Sequence, residues 1–275
     1  MTTATPSTTP HTRLPHTRLP HTPLPRLTSR RVLRSEWHKL WTLRSTWITL
    51  LAAAVFTLAI GFVMAGSYDG DDSEIDTVTY VLLGTQISTI CVAVLGILVT
   101  AGEYSTGLIR ASLTAVPRRT PVLWCKAALF TAVALTVTLT ANLVTFLATQ
   151  PLLAGTDKAA SLTDPGVLRA LAGNAAGITL LSLIALGLGA LVRSIPAGIG
   201  AFVGLVLVLP EVLGAIPSSA LRTALDYFPA QASGVLGSAH PPADAASPGP
   251  ALLALVLWAL ATLWPAGLLL KRRDV

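Results

Sequence analysis

Histidine, cysteine and carboxylate are the side chains with which a membrane protein could cut a bond or hold a metal, and here they stand apart. The five histidines are His11, His16, His21, His38 and His240, and none falls inside a long apolar run. No HExxH occurs, so the two-histidine face of a zinc hydrolase has no counterpart. Cys91 and Cys125 lie in or beside apolar runs with no histidine near them in the chain, which makes them packing residues rather than activated nucleophiles. Two cysteines are too few for a disulfide framework. His11, His16 and His21 recur in a five-residue repeat, PHTRLPHTRLPHTPLP, where low complexity accounts for them better than a metal site does. None of the four lysines, Lys39, Lys126, Lys158 and Lys271, follows a glycine, so a phosphate-binding loop is missing. The sequence therefore assigns the chain no catalytic residue, no metal and no bound cofactor. Any ATP that powers it, with its Mg, belongs on another polypeptide.

Charge is concentrated instead in residues 101–119, AGEYSTGLIRASLTAVPRR, which carry Glu103, Arg110, Arg118 and Arg119 between two apolar runs. Glu103 stands where a short helix would begin, a position the helix dipole favours for a carboxylate. Ile109, Leu113 and Val116 share one face, Arg110 points elsewhere, and Pro117 ends the segment. A helix of this kind, parallel to the membrane, is a docking element for a cytoplasmic partner; a connector that binds only lipid has the same periodicity.

Polar residues also enter the apolar runs. In TAVALTVTLTANLVTFLATQ, Thr131, Thr138, Asn142, Thr145 and Thr149 recur on one helical face, which either bonds to a neighbouring helix or lines a polar route. Glu211, beside Pro210, is the acidic residue least easily placed in water; it faces a cavity at the outer end of the bundle or reaches the headgroups.

The elements that position these residues follow from composition. Apolar residues make up 52% of the 275 positions and charged ones 12%, against about 25% charged in soluble domains. Six apolar blocks, at 46–66, 78–101, 127–148, 168–192, 196–217 and 250–270, reach the roughly 20 residues that span about 30 Å of hydrocarbon. Backbone groups in lipid must bond internally, so the predicted fold is all-α with six spans in one membrane domain over 29–275. The fourth and fifth spans are separated only by Arg193, Ser194 and Pro196, which fits a tight hairpin. Gly173 with Gly177 and Gly200 with Gly204 are spaced for close helix approach.

With the N-terminus inside, thirteen near-membrane Lys and Arg fall on the inner side and three, Lys158, Arg169 and Arg222, on the outer. That asymmetry predicts two cytoplasmic termini and accounts for the net charge of +6 without nucleic acid. The loop SYDGDDSEIDT is then a solvated acidic outer loop, and SSALRTALDYFPAQ reads as a short outer helix with Leu221, Leu225 and Phe228 toward lipid. Residues 1–28, rich in Pro, Thr and His, cannot bury a core and are predicted to be disordered. In SRRVLRSEWHKLWTLRSTW, Leu33, Trp37, Leu40 and Trp41 share a face opposite Arg31, Arg34 and His38. This predicts an interfacial helix with Trp37 and Trp41 as anchors at headgroup level.

Four stretches, SEWHKLWTLRSTW, GEYSTGLIRASLTAVPRRTPVLWCK, SLTDPGVLRA and the closing KRRD, together resemble the permease subunits of type-2 ATP-binding-cassette (ABC) exporters, especially actinobacterial ones. The resemblance runs over residues 29–275, with GEYSTG its most specific part. It implies a six-span permease of the cell membrane, working as a homodimer or with a related permease and moving a substrate outward with ATP hydrolysed by a separate cytoplasmic ATPase subunit. It further implies that residues 103–116 form the coupling helix, with Glu103, Tyr104 and Arg110 near the ATPase, and that residues 30–44 form the connecting helix. The other reading is an ion-coupled carrier or channel acting without an ATPase. Carriers of that kind place ionisable residues near the bilayer midplane, where this sequence offers no clear candidate.

Overall fold

The structure, a computed structural model, describes residues 29–70, 75–105, 120–242 and 245–272. The predicted tail 1–28 and most of the predicted coupling segment, including Arg110, lie outside the described residues. Among those described there is no strand, and six helices are long and apolar enough to cross a membrane. The protein is an all-α multi-pass membrane protein.

A first helix, α1 (Ser29–Thr42), is followed after Leu43 by α2 (Arg44–Gly66). Then come α3 (Thr77–Val81), α4 (Thr85–Ser105), α5 (Thr120–Leu153) and α6 (Val167–Val192). The fifth span, α7 (Ile195–Gly214), contains a π-helical turn at Gly204–Val208. Two short helices, α8 (Ser219–Leu225) and α9 (Pro229–Gly237), precede the last span, α10 (Pro248–Arg272).

Some boundaries differ from those the apolar runs predict. The block at 78–101 is divided by a turn over Leu82–Gly84, leaving α3 as a separate short helix. Gly84 permits it: a Cβ there would lie 2.9 Å from Thr57 Cα, so the turn is pressed against α2. The third span starts seven residues earlier than the run at 127–148, with Pro121 in its first turn, where proline is favoured. The hairpin between α6 and α7 is present, with Arg193 capping α6 in the left-handed region at φ 60° and Ser194 extended.

The larger difference is beyond α7. One surface helix with Leu221, Leu225 and Phe228 toward lipid was expected, but two helices form, and Leu225 is buried. Phe228 is extended and Pro229 starts α9, which docks on α6 and α10. Gly173 and Gly177 make room: a Cβ on either would collide with Leu236 and Ser233 of α9. Gly200 and Gly204, spaced in the same way, have nothing within 4 Å of a would-be Cβ.

α6 is the centre of the bundle, with 72% of its spanning window buried against 22–56% for the other five. It packs on α4, α5, α9 and α10. Polar side chains find partners across helices: Thr100 Oγ1 donates to Leu186 O of α6 at 3.0 Å, and between α2 and α4 the Thr57 and Ser88 hydroxyls share a 2.7 Å contact. Such bonds satisfy groups that hydrocarbon would leave bare.

At the end of the bundle away from α1, Asp76 joins three segments. Its carboxylate caps α3 through Thr79 N at 3.2 Å and accepts from Ala239 N at 3.1 Å and His240 N at 3.2 Å. Arg169 donates to Ser238 O and Ala239 O from the other side, at 3.0 and 2.9 Å. The chain after α9 is thus held to α3 and α6 at once.

Candidate functional site

The densest set of charges among the described residues lies at the α1 end. α1 turns Glu36, Lys39 and Leu40 toward the bundle, since positions i, i+3 and i+4 share one helical face. The last turn of α4 brings Glu103 to the same place, and the first turns of α5 bring Lys126. Lys126 Nζ lies 2.9 Å from Glu36 Oε2, 2.7 Å from Glu103 Oε1 and 3.2 Å from Val99 O. Lys39 Nζ completes the array at 2.8 Å from Glu36 Oε1 and 3.2 Å from Glu103 Oε1. Two carboxylates and two ammoniums therefore alternate.

Burial makes this arrangement consequential. The side chains of Glu36 and Lys126 are 5% and 6% exposed, that of Glu103 13%, and only Lys39 reaches water, at 36%. Burial alone would push the Glu36 carboxyl up, but Lys126 and Lys39 together hold it below its ordinary value. For Lys39, burial would lower the ammonium, and Glu36 and Glu103 outweigh it and raise it. Buried charges so paired are costly to break singly: removing one partner typically destabilises by about 3–5 kcal/mol.

Glu103 is not at the start of a new helix, as the sequence suggests, but in the last turn of α4. A helix C-terminus repels a carboxylate, and Lys126 and Lys39 supply the opposing charge. Next to it, Tyr104 packs its ring against the Arg193 guanidinium, 4.9 Å from ring centroid to Cζ, within cation–π range. The α6–α7 hairpin is thereby joined to the same end of α4.

A cleft of about 440 Å³ opens beside the charges. Glu36, Lys39, Glu103 and Lys126 form its polar side, and Leu40, Leu98, Val99 and Ile195 its apolar walls. Leu43, 49% exposed, lies at its rim with Lys39.

The remaining residues singled out in the sequence lie elsewhere. Trp37 and Trp41 are exposed on the outer side of α1, 5.1 Å apart between ring centroids, and Trp47 continues the row at 4.2 Å from Trp41. Thr138, Asn142, Thr145 and Thr149 are buried and Thr131 half-buried, with Thr131, Thr138 and Thr149 bonding back to their own helix. Asn142 Nδ2 crosses to α6, donating to Leu171 O and Asn174 Oδ1 at 3.2 and 3.0 Å. Thr145 faces Gly61 of α2. Glu211 is exposed near the far end of α7. The array thus unites Glu103 with residues the sequence reading left aside. Glu36 is the clearest omission, although a lone acid among the basic residues of α1, three positions before Lys39, was a usable signal.

No protein-family model matches this chain, and no curated protein matches it either.

Proposed function

We propose that this chain is the membrane-spanning permease subunit of a type-2 ABC exporter, moving a substrate out across the cell membrane with ATP hydrolysed, with Mg, by a separate ATPase subunit. The observation that carries the reading is the ionic link between the end of α4 and both α1 and α5. A push on the segment that follows Ser105 would reach α4 through the chain and α1 and α5 through Glu103. An interfacial helix and two spans would then move as one body, as a permease driven from the cytoplasm requires. In this reading both termini are cytoplasmic, two such permeases pair, and Glu103, Tyr104 and Arg110 stand near the ATPase. No catalytic role falls to this chain.

The deciding experiment is purification from the native host in mild detergent through a C-terminal tag, with mass spectrometry of what accompanies the protein. A stoichiometric ATPase with a phosphate-binding loop is expected, its activity stimulated by the permease and the stimulation lost on Glu103→Ala or Arg110→Ala in folded protein. A chain that emerges alone, and stays alone after crosslinking, overturns the reading in favour of a carrier or channel acting by itself.

A further inference from the structure

The four charges of the array, Glu36, Lys39, Glu103 and Lys126, sum to zero among the described residues, but they are unequal in access. The side chains of Glu36 and Lys126 are closed off, that of Glu103 is nearly so, and only the Lys39 side chain is substantially exposed, with its ammonium between the two carboxylates. Lys39 is also the member best able to leave, since its four-carbon stem is flexible and its charge is readily hydrated. Were it to swing outward, the described charges lining the cleft would be two carboxylates and Lys126, a sum of −1. Leu40, Leu98, Val99 and Ile195 give the same cleft apolar lining beside the charges. At about 440 Å³ the space falls within the range of small-ligand sites. It also opens beside Leu43, where α1 ends and the first span begins, the depth at which an amphiphile keeps its head and its chain in different media.

We infer that this cleft binds an amphipathic amine, whose ammonium is received by the Glu36 and Glu103 carboxylates in the place Lys39 now fills. Lys39 is then an internal stand-in for the ligand, and the closed array is the ligand-free state. Lys126, bonded to both carboxylates and to Val99 O, stays in place and keeps the emptied site from carrying two uncompensated charges. A carboxylate head would be repelled by the two anionic acceptors, and a hydroxyl head could donate to one of them but would leave the charge of the displaced Lys39 unreplaced. The inference is independent of any ATPase partner.

The test uses the full chain in nanodiscs of phosphatidylglycerol and three pyrene-tailed probes of equal chain length, ending in a primary amine, a hydroxyl or a carboxylate. Saturable binding above that of empty nanodiscs is expected for the amine alone. Lys39→Met, which removes the internal competitor, is expected to tighten amine binding by about tenfold, and Glu103→Gln to weaken it by at least that factor. The gain on Lys39→Met cannot arise from misfolding. Equal saturable binding of all three probes, no saturable binding of the amine, or an amine affinity untouched by Lys39→Met would overturn the assignment. Repeating the amine titration in phosphatidylcholine and in phosphatidylethanolamine nanodiscs, whose surfaces are both zwitterionic, and comparing the second with the first separates two sources of the same chemistry. Weaker apparent binding in phosphatidylethanolamine identifies an aminophospholipid headgroup as the occupant, and unchanged binding identifies a soluble amphiphile.

Discussion

Lys126 Nζ lies 2.9 Å from Glu36 and 2.7 Å from Glu103, so one ammonium joins a helix that precedes the first span to the last turn of the second. Both contacts are nearly out of water, where pairing and desolvation are large and opposed. Lys126→Met is expected to lower stability by about 3–5 kcal/mol, because two buried carboxylates would then share Lys39 alone. Adding Glu36→Gln to Lys126→Met is expected to recover part of that loss. Thermal unfolding in detergent of the two single variants and the double reads the coupling directly, and strict additivity would show that the pair contributes nothing.

The array also has a defined pH window. Glu36 is held below its ordinary value, so its contribution is present above the usual carboxylate pKa of about 4.3 and is lost as pH falls through the depressed value. Lys39 is raised, so its contribution is present below about 10.4 and is lost as pH rises through the higher value. The stability difference between wild type and Glu36→Gln should therefore be flat from about pH 5 to 9 and shrink below about pH 4. A difference that changes across neutral pH would place the governing group elsewhere.

Gly173 is where α9 meets α6, and any side chain there collides with Leu236. Gly173→Val is expected to displace α9 at a cost of about 1–3 kcal/mol, the usual range for overpacking. A cysteine at Ser233, which faces Gly177, should react slowly with a water-soluble maleimide in the otherwise wild-type protein and much faster in the variant. Gly200→Val, with open space around it, is the matched control.

The row Trp37, Trp41 and Trp47 lies on the exposed side of α1 and the start of α2. Indoles in that position belong at the headgroup level. Their fluorescence, isolated by replacing Trp124, Trp258 and Trp264 with Phe, is expected to be quenched more by a nitroxide placed near the headgroup than by one at the chain end. Stronger quenching from the chain end would put α1 inside the hydrocarbon.

Much of this fold was legible in the sequence, because six long apolar runs in lipid leave the backbone little choice but helix. The hairpin at Arg193 was readable for a similar reason, a charge and a proline together between two runs. α9 was not. Its residues, PAQASGVLG, are small and mixed in polarity, and they form a helix docked on the bundle because Gly173 and Gly177 on another element leave a groove for them. The division of the second run at Leu82–Gly84 was hidden in the same way, since the turn is enforced by contact with α2. At the candidate site, Glu103 stood out as a charge at the edge of an apolar run. Glu36 did not, because the amphipathic reading of α1 was built on its tryptophans and its basic residues. Its partner, Lys126, is ninety positions away, and no local period reports a pairing over that distance.

The central place of α6 bears on how the chain is put together. α2, α4 and α5 enter the membrane first, and much of the surface that α4 and α5 are to bury belongs to a helix not yet synthesised. Until α6 arrives, Thr100 lacks the carbonyl of Leu186 and Asn142 lacks that of Leu171. Thr100 can fall back on the carbonyls of Gly96 and Ile97 in its own helix, but both acceptors of the Asn142 amide lie on α6, so it is the fourth span that turns a set of inserted helices into an assembled protein.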